Sequence, residues 1–245
     1  MSAAELSSAA TRHPWDWYVE QPWVTEKLIE ALGPDQFGEM VWDPACGRGN
    51  LLSCFEEYWT FSRIEKKADG PRQYLDKVLG SDICFRGYER QWRDHNDIAH
   101  WNFLSDDGRQ ARGFPLYRYE NHHLSIVSNP PYSQQAGKLV RGLAEEFCRK
   151  ALTIATHKVC MLLPLKWMAG EARQRFLAEY PPRFYLILNE RPSMPPGNMI
   201  EQLGDKAFKR GKVDYMWVVW DKQVVTLPGE TRTIHITPRP KEERV

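Results

Sequence analysis

The stretch Glu39-Met-Val-Trp-Asp43-Pro-Ala-Cys-Gly-Arg-Gly-Asn50-Leu-Leu-Ser-Cys-Phe-Glu-Glu-Tyr58 decides how the chain is read. It begins as a short apolar run that ends on an acid, turns through two glycines, and continues with apolar residues at helical spacing. That is a strand, a glycine turn and a helix. In doubly wound α/β sheets the carboxyl end of such a strand is where ligands bind. Gly47 and Gly49 let the backbone turn tightly and approach a ligand that a side chain would keep away. The spacing is not the G-x-G-x-x-G of dinucleotide binders, and no lysine follows as in a P-loop, which argues against a phosphate cradle.

The rest of the chain alternates around that unit. Upstream, Val24, Leu28, Ile29 and Leu32 recur at helical spacing behind an aromatic lead-in, and Gly33-Pro34 ends the helix. Downstream, Val78 to Ile83 reads as a second strand, and a further segment ends at Asn102-Phe103-Leu104. Leu124 to Ser128 is a buried strand, Lys138 to Ala155 a helix, Lys158 to Leu163 a strand, Glu171 to Tyr180 a helix, and Arg183 to Leu188 a strand. Asp214 to Trp220 follows a polar stretch without a convincing helix, so it is expected to enter the sheet antiparallel, as a hairpin partner. The alternation predicts a mostly parallel sheet covered on both faces. Residues 1–13 are expected to be frayed, 14–222 to form one domain, and 223–245 to be a C-terminal extension. Within the domain, 15–32 forms an N-terminal cap segment and 190–212 a surface loop.

Composition narrows the classes. A chain of 245 residues with 42% hydrophobic and 27% charged residues is that of a folded globular protein. No run approaches the length needed to cross a bilayer and the first residues carry no basic leader, so a cytoplasmic location is expected. The five cysteines include no C-x-x-C pair and the histidines have no partners at ligand spacing, so reduced thiols and no metal are expected. A net charge of +1 leaves any nucleic-acid surface to be local. The ten Trp, ten Tyr and ten Phe are expected to serve mainly as core.

Two sites emerge from the residues. A nucleoside-like ligand without phosphate suits the glycine turn, and S-adenosylmethionine is such a ligand. Asp43 would face its cationic amino-acid end, and Asp82, ending the second strand, would accept from ribose hydroxyls. The second site is Asn129-Pro130-Pro131-Tyr132, directly after a buried strand. An exocyclic amine on adenine is a poor nucleophile, because its lone pair is delocalised into the ring. The Asn129 side-chain oxygen and the Pro130 carbonyl can accept amine hydrogens and orient the nitrogen. The two prolines stiffen the loop and supply no competing N–H, and Tyr132 offers a ring for stacking. A plain proline turn is the bland reading, and it loses force beside the glycine turn in this order.

These residues resemble the amino-group DNA methyltransferases. Asp43-Pro44-Ala45-Cys46-Gly47-Arg-Gly49-Asn50 is similar to their cofactor motif and Asn129 to Tyr132 to their catalytic motif. Tyr18-Val-Glu-Gln-Pro22-Trp23 resembles the segment that precedes the cofactor motif in the gamma order. Arg191 to Gly197 and Asp214 to Trp220 are similar to segments of compact phage and prophage adenine methyltransferases. The resemblance implies a Rossmann-like class I methyltransferase with a seven-stranded, mostly parallel sheet and a terminal antiparallel hairpin strand. It implies S-adenosylmethionine as cofactor and adenine-N6 of DNA as target, with no metal and no membrane. The family's usual acid at the third strand is here Asn102, whose amide oxygen can still accept from the cofactor's adenine, with Phe103 packed beside it. A large appended recognition domain is not expected. Lys206, Lys209, Arg210 and Lys212 are the candidates for DNA phosphates. Adenine in RNA, a protein glutamine, or a non-catalytic cofactor-binding subunit remain alternatives, and the oligomeric state is not legible.

Overall fold

A computed structural model describes residues 13–65, 78–84, 86, 102–105, 122–209 and 211–244. Expectations for residues 1–12 and for Arg210 lie outside these. The first helix, α1 (Pro22–Leu32), starts on a proline and stops at Gly33, and it buries Trp23, Val24, Leu28 and Ile29. Strand β1 (Met40–Asp43) leads through the glycine turn into α2 (Asn50–Glu65), which runs one to two turns past Tyr58. Strands β2 (Val78–Gly80) and β3 (Leu124–Ser128) flank β1, and both pair with it in parallel. Every residue of β1 and β3 is buried, as expected for strands covered on both faces.

After β3 the chain departs from the sequence reading. Instead of a helix from Lys138, a small hairpin forms from β4 (Gln134–Gln135) and β5 (Lys138–Leu139). The helix α3 begins only at Leu143 (Leu143–Ile154), because Gly142 before it sits in the left-handed region with φ 82. Leu143, Phe147 and Leu152 keep their place on the buried stripe, whereas Leu139 falls outside it and is 63% exposed. Then come β6 (Lys158–Pro164), α4 (Glu171–Glu179), β7 (Phe184–Leu188), the single turn α5 (Ile200–Leu203), β8 (Tyr215–Asp221) and β9 (Arg232–Ile236).

The seven-stranded sheet has the order β2-β1-β3-β6-β8-β7-β9. Strand β8 is antiparallel to both neighbours, as expected for Asp214 to Trp220, and the other pairings are parallel. The seventh strand is β9, from the stretch assigned to a C-terminal extension. Residues 102–104, expected to end a strand, instead form a turn, with Asn102 Oδ1 accepting the Leu104 N–H at 3.1 Å. One core lies between the sheet and α3 and α4 and centres on Trp42, Ile126, Phe147 and Phe176. The other lies under α1 and α2 and centres on Leu28, Phe55, Leu162 and Trp217. Buried tryptophans keep a polar partner: Trp42 Nε1 donates to Ser81 Oγ, Trp217 to the Val24 carbonyl and Trp220 to the Tyr180 carbonyl. Among the described residues no helix is long and apolar enough to cross a membrane.

Candidate active site

The strand order reverses at β1, with β2 on one side and β3 on the other, which opens a crevice beyond their carboxyl ends. Asp43 closes β1 and is 2% exposed. Its Oδ1 accepts the Ala45 N–H at 3.0 Å and the hydroxyl of Ser128, the last residue of β3, at 2.7 Å, so the two strand ends are tied together. Asp82, past β2, accepts the Gly47 N–H at 3.0 Å and the Cys84 N–H at 2.8 Å. The glycine turn is thus gripped by the acid beyond the neighbouring strand. Gly47 and Gly49 hold φ 54 and 80, values that side chains rarely adopt.

The proline loop is held differently. Asn129 Nδ2 donates to the Tyr18 carbonyl at 3.2 Å and to Glu20 Oε2 at 2.8 Å. Its Oδ1 accepts the Tyr132 hydroxyl at 2.5 Å. Past the prolines, one oxygen of Asp16 accepts three consecutive backbone N–H groups, those of Tyr132 (3.0 Å), Ser133 (2.6 Å) and Gln134 (2.7 Å). Asp16 is buried and holds φ 49. The Pro14 carbonyl accepts the Gly137 N–H at 2.8 Å. Residues 14–20 therefore form a strap that fastens the loop after β3 at several points. The strap is itself fastened to the segment after β7: Tyr18 bridges Pro196, and the Gly197 N–H donates to the Trp17 carbonyl.

Strap, glycine turn and proline loop enclose a cleft with two lobes. The larger is lined by Tyr18, Pro44, Ala45, Asp82, Asn102, Phe103, Asn129 and Pro131, among others. The smaller is lined by Glu20, Asp43, Cys46, Gly47 and Asn50. Trp17, Tyr18, Ala45 and Asn129 border both. Phe103 stands edge-on to Trp42 at 5.4 Å and packs on Phe147 at 4.5 Å. Four expected positions do not line the cleft: Pro22, Gly49, Tyr132 and Pro130, the last buried between Asn129 and Pro131 in sequence. Pro22 begins α1 with its carbonyl toward the Cys54 thiol, and Gly49 shapes the turn from behind. Tyr132 also differs from the free stacking ring anticipated: it packs against both cores and lies 6.2 Å from the Tyr215 ring, its hydroxyl turned onto Asn129. Lys206, Lys209 and Lys212 are exposed and form no ion pair among the described residues.

Electrostatically the smaller lobe is acidic. Burial holds the Glu20 carboxyl above the usual carboxylate range, and the Asn129 amide only partly offsets it. Burial, with the charges of Glu20 and Asp82, holds Asp43 well above that range. No Lys or Arg pairs with Glu20 or Asp43 among the described residues. An enclosed site of this kind favours a cationic ligand. Sequence reasoning missed Asp16, Glu20 and Trp17. Their signal is the density of acids and aromatics in Trp15-Asp-Trp-Tyr-Val-Glu20 ahead of α1, a stretch that the sequence reading treats as an aromatic lead-in and, from Tyr18 on, as the segment preceding the cofactor motif, with a role for Tyr18 alone.

The strand order with an antiparallel β8 between β6 and β7, and the cleft at the reversal, define the Rossmann-like fold of class I methyltransferases. No family model and no curated protein matches the sequence. Among solved structures, the M protein of the type I restriction enzyme EcoKI is similar with a TM-score of 0.59 and 16% identity, over 94% of this chain and 51% of that one. A protein of Listeria monocytogenes assigned to the class I S-adenosylmethionine-dependent methyltransferases gives 0.51 and 13%, over 88% and 63%. The methyltransferase subunit of a type I restriction-modification system from Streptococcus thermophilus gives 0.52 and 16%, over 85% and 45%. The chain spans about half to three fifths of the length of these structures.

Proposed function

We propose that the protein is an S-adenosylmethionine-dependent methyltransferase acting on the exocyclic amine of adenine in DNA. The observation that carries this reading is the position of Asn129. It borders both lobes of the cleft, so an acceptor for an amine stands where an acidic, cation-favouring lobe meets a lobe lined by Phe103 and Pro131. Modification subunits of type I restriction enzymes among the similar structures favour DNA as the substrate.

The residues fit the cofactor. Glu20 and Asp43 are buried carboxyls without a basic partner among the described residues, which a bound cation would draw into their ionised form, Asp82 stands at the end of the adjacent strand, and Asn102 and Phe103 offer an amide and a flat ring. When bound, S-adenosylmethionine supplies an electrophilic methyl group. The chain's own task is to hold the amine. Asn129 Oδ1 and the Pro130 carbonyl accept its hydrogens and orient the lone pair, and Tyr132 gives the base a stacking face. To offer that face Tyr132 has to turn out from between the two cores, while its hydroxyl takes only one of the two lone pairs of Asn129 Oδ1 and leaves the other for the amine. Lys206, Lys209 and Lys212 are assigned to the phosphate backbone, a contact that positions without reading sequence.

The test is incubation with labelled S-adenosylmethionine and, separately, DNA, RNA and protein extract, followed by digestion to nucleosides or amino acids. Label in N6-methyladenine from DNA is expected. Label confined to RNA or to glutamine would replace the substrate, and absence of cofactor binding at millimolar concentration would end the methyltransferase reading.

A further inference from the structure

The hairpin β4–β5 is the feature that the proposed chemistry leaves unexplained. Gln135 and Lys138 flank a two-residue turn, Ala136-Gly137, in which both residues have positive φ, 51 and 74. A type I′ turn requires this, and an alanine there is strained. The hairpin is nonetheless well held, at its base and at its turn. Asp16 grips the N–H groups of Ser133 and Gln134, the Pro14 carbonyl grips that of Gly137, and the Val140 N–H donates to the Ser133 carbonyl. A stiff ribbon two residues past the catalytic motif thus projects from the cleft wall.

Leu139 lies on this ribbon. It is 63% exposed although leucine is a residue that folding normally buries, whereas Leu143 at the start of α3 is buried. Its cross-strand partner is Gln134, which lines the cleft, so Leu139 sits one strand spacing, about 5 Å, from the cleft rim. Lys138 and Arg141 on either side are exposed and form no ion pair among the described residues. An exposed apolar side chain on the hairpin's second strand, with Lys138 next to it and Arg141 two residues on, beside a cleft, matches what a side chain needs to enter a base stack while its neighbours meet phosphates.

We infer that Leu139 is the wedge that fills the stack when the target adenine leaves the duplex, with Lys138 and Arg141 holding the flanking backbone. This rests on the adenine-DNA reading above. A base leaving a duplex gives up stacking and pairing worth a few kcal/mol, least when it is already mispaired. A wedge offsets the vacancy only where the stack was intact. Its loss therefore shows on paired duplex and fades where the base is loose.

The experiment compares wild type with Leu139→Ala and Leu139→Phe, after thermal melting has confirmed that each is folded. Single-turnover methylation is measured on a duplex with the target adenine paired and on the same duplex with it mispaired, and 2-aminopurine fluorescence at the target position reports extrusion. For Leu139→Ala, transfer to the paired target is expected to fall about tenfold or more, with weaker fluorescence, and the deficit to shrink to within about threefold on the mispaired target. Leu139→Phe is expected to retain most of the paired-duplex rate. An equal deficit on both duplexes, or none on the paired one, overturns the wedge while leaving the methyltransferase reading intact. If wild type methylates no adenine in any DNA, both fall together.

Discussion

The cofactor turn and the proline loop end neighbouring strands of one sheet, yet they are secured by opposite means. The turn at 43–50 is shaped by its own glycines, with Gly49 bonded to Cys46 and Ala45 to Asp43, and is tied to the ends of the adjacent strands, where Ser81 and Asp82 accept from Cys46 and Gly47 and Ser128 donates to Asp43. The loop at 129–134 is held by side chains and carbonyls 109 to 118 residues away in sequence, on the strap. A turn held by its own glycines and by the ends of the adjacent strands is as fixed as the sheet itself. A loop fastened from outside can be loosened without touching the sheet, as the proposed turning of Tyr132 requires.

The contrast predicts the largest effect at Asn129. Replacing it with Ala removes the acceptor that strengthens as charge develops on the amine, so single-turnover transfer is expected to fall on the order of a hundredfold or more. Cofactor affinity, set mainly by the glycine turn, should move by no more than about threefold. Near-normal transfer would remove the clamp assignment.

Asp16→Ala tests the strap directly. Three N–H groups lose a shared buried acceptor, and each orphaned buried donor costs about 1–3 kcal/mol unless water replaces the bond. Methyl transfer should fall about tenfold or more and the melting temperature should drop, while the cofactor dissociation constant changes less than the rate. Asp16→Asn keeps an acceptor oxygen and should restore part of the rate. If Ala and Asn lower rate and cofactor affinity equally, the strap supports the whole cleft and the contrast between the two regions collapses.

The smallest effect is the pH dependence of cofactor affinity. Burial holds Glu20 and Asp43 above the usual carboxylate range. A raised folded-state pKa contributes stability that is fully present below the unfolded value and is lost as pH rises through the folded one. A cationic ligand works in the other direction, because it favours the ionised carboxylates. The thermal stabilisation produced by S-adenosylmethionine should therefore grow as pH rises from about 5 to about 8, with affinity gaining at most about tenfold per unit for each coupled proton. Asp43→Asn should flatten that slope. A flat profile in the unmodified protein would mean that the acidic lobe does not meet the cofactor's charge.

Both motifs were legible because their chemistry is written in adjacent residues. A strand ending in Asp43 before paired glycines, and Asn129 before two prolines, need no distant information to be recognised. The mostly parallel character of the sheet followed from the alternation, and the antiparallel entry of β8 from the missing helix before it. The strap was not legible, because Asp16 works on backbone N–H groups, which any residue except proline offers and which leave no mark in sequence. The start of α3 was misplaced because Leu139 falls in phase with Leu143 and Phe147, and only the left-handed Gly142 separates them. Asn102 kept its place in the cleft lining, but its amide oxygen also closes a local turn where a strand was expected.

The shared strap has a genetic consequence. A substitution between residues 14 and 20 is pleiotropic, since the same few residues wall the smaller lobe and fasten the proline loop. Drift towards a new target therefore has little room there. The hairpin tip and the lysine loop, which contribute to neither the cofactor turn nor the strand ends, leave far more freedom, and divergence in sequence preference among descendants of this chain should gather in those two places.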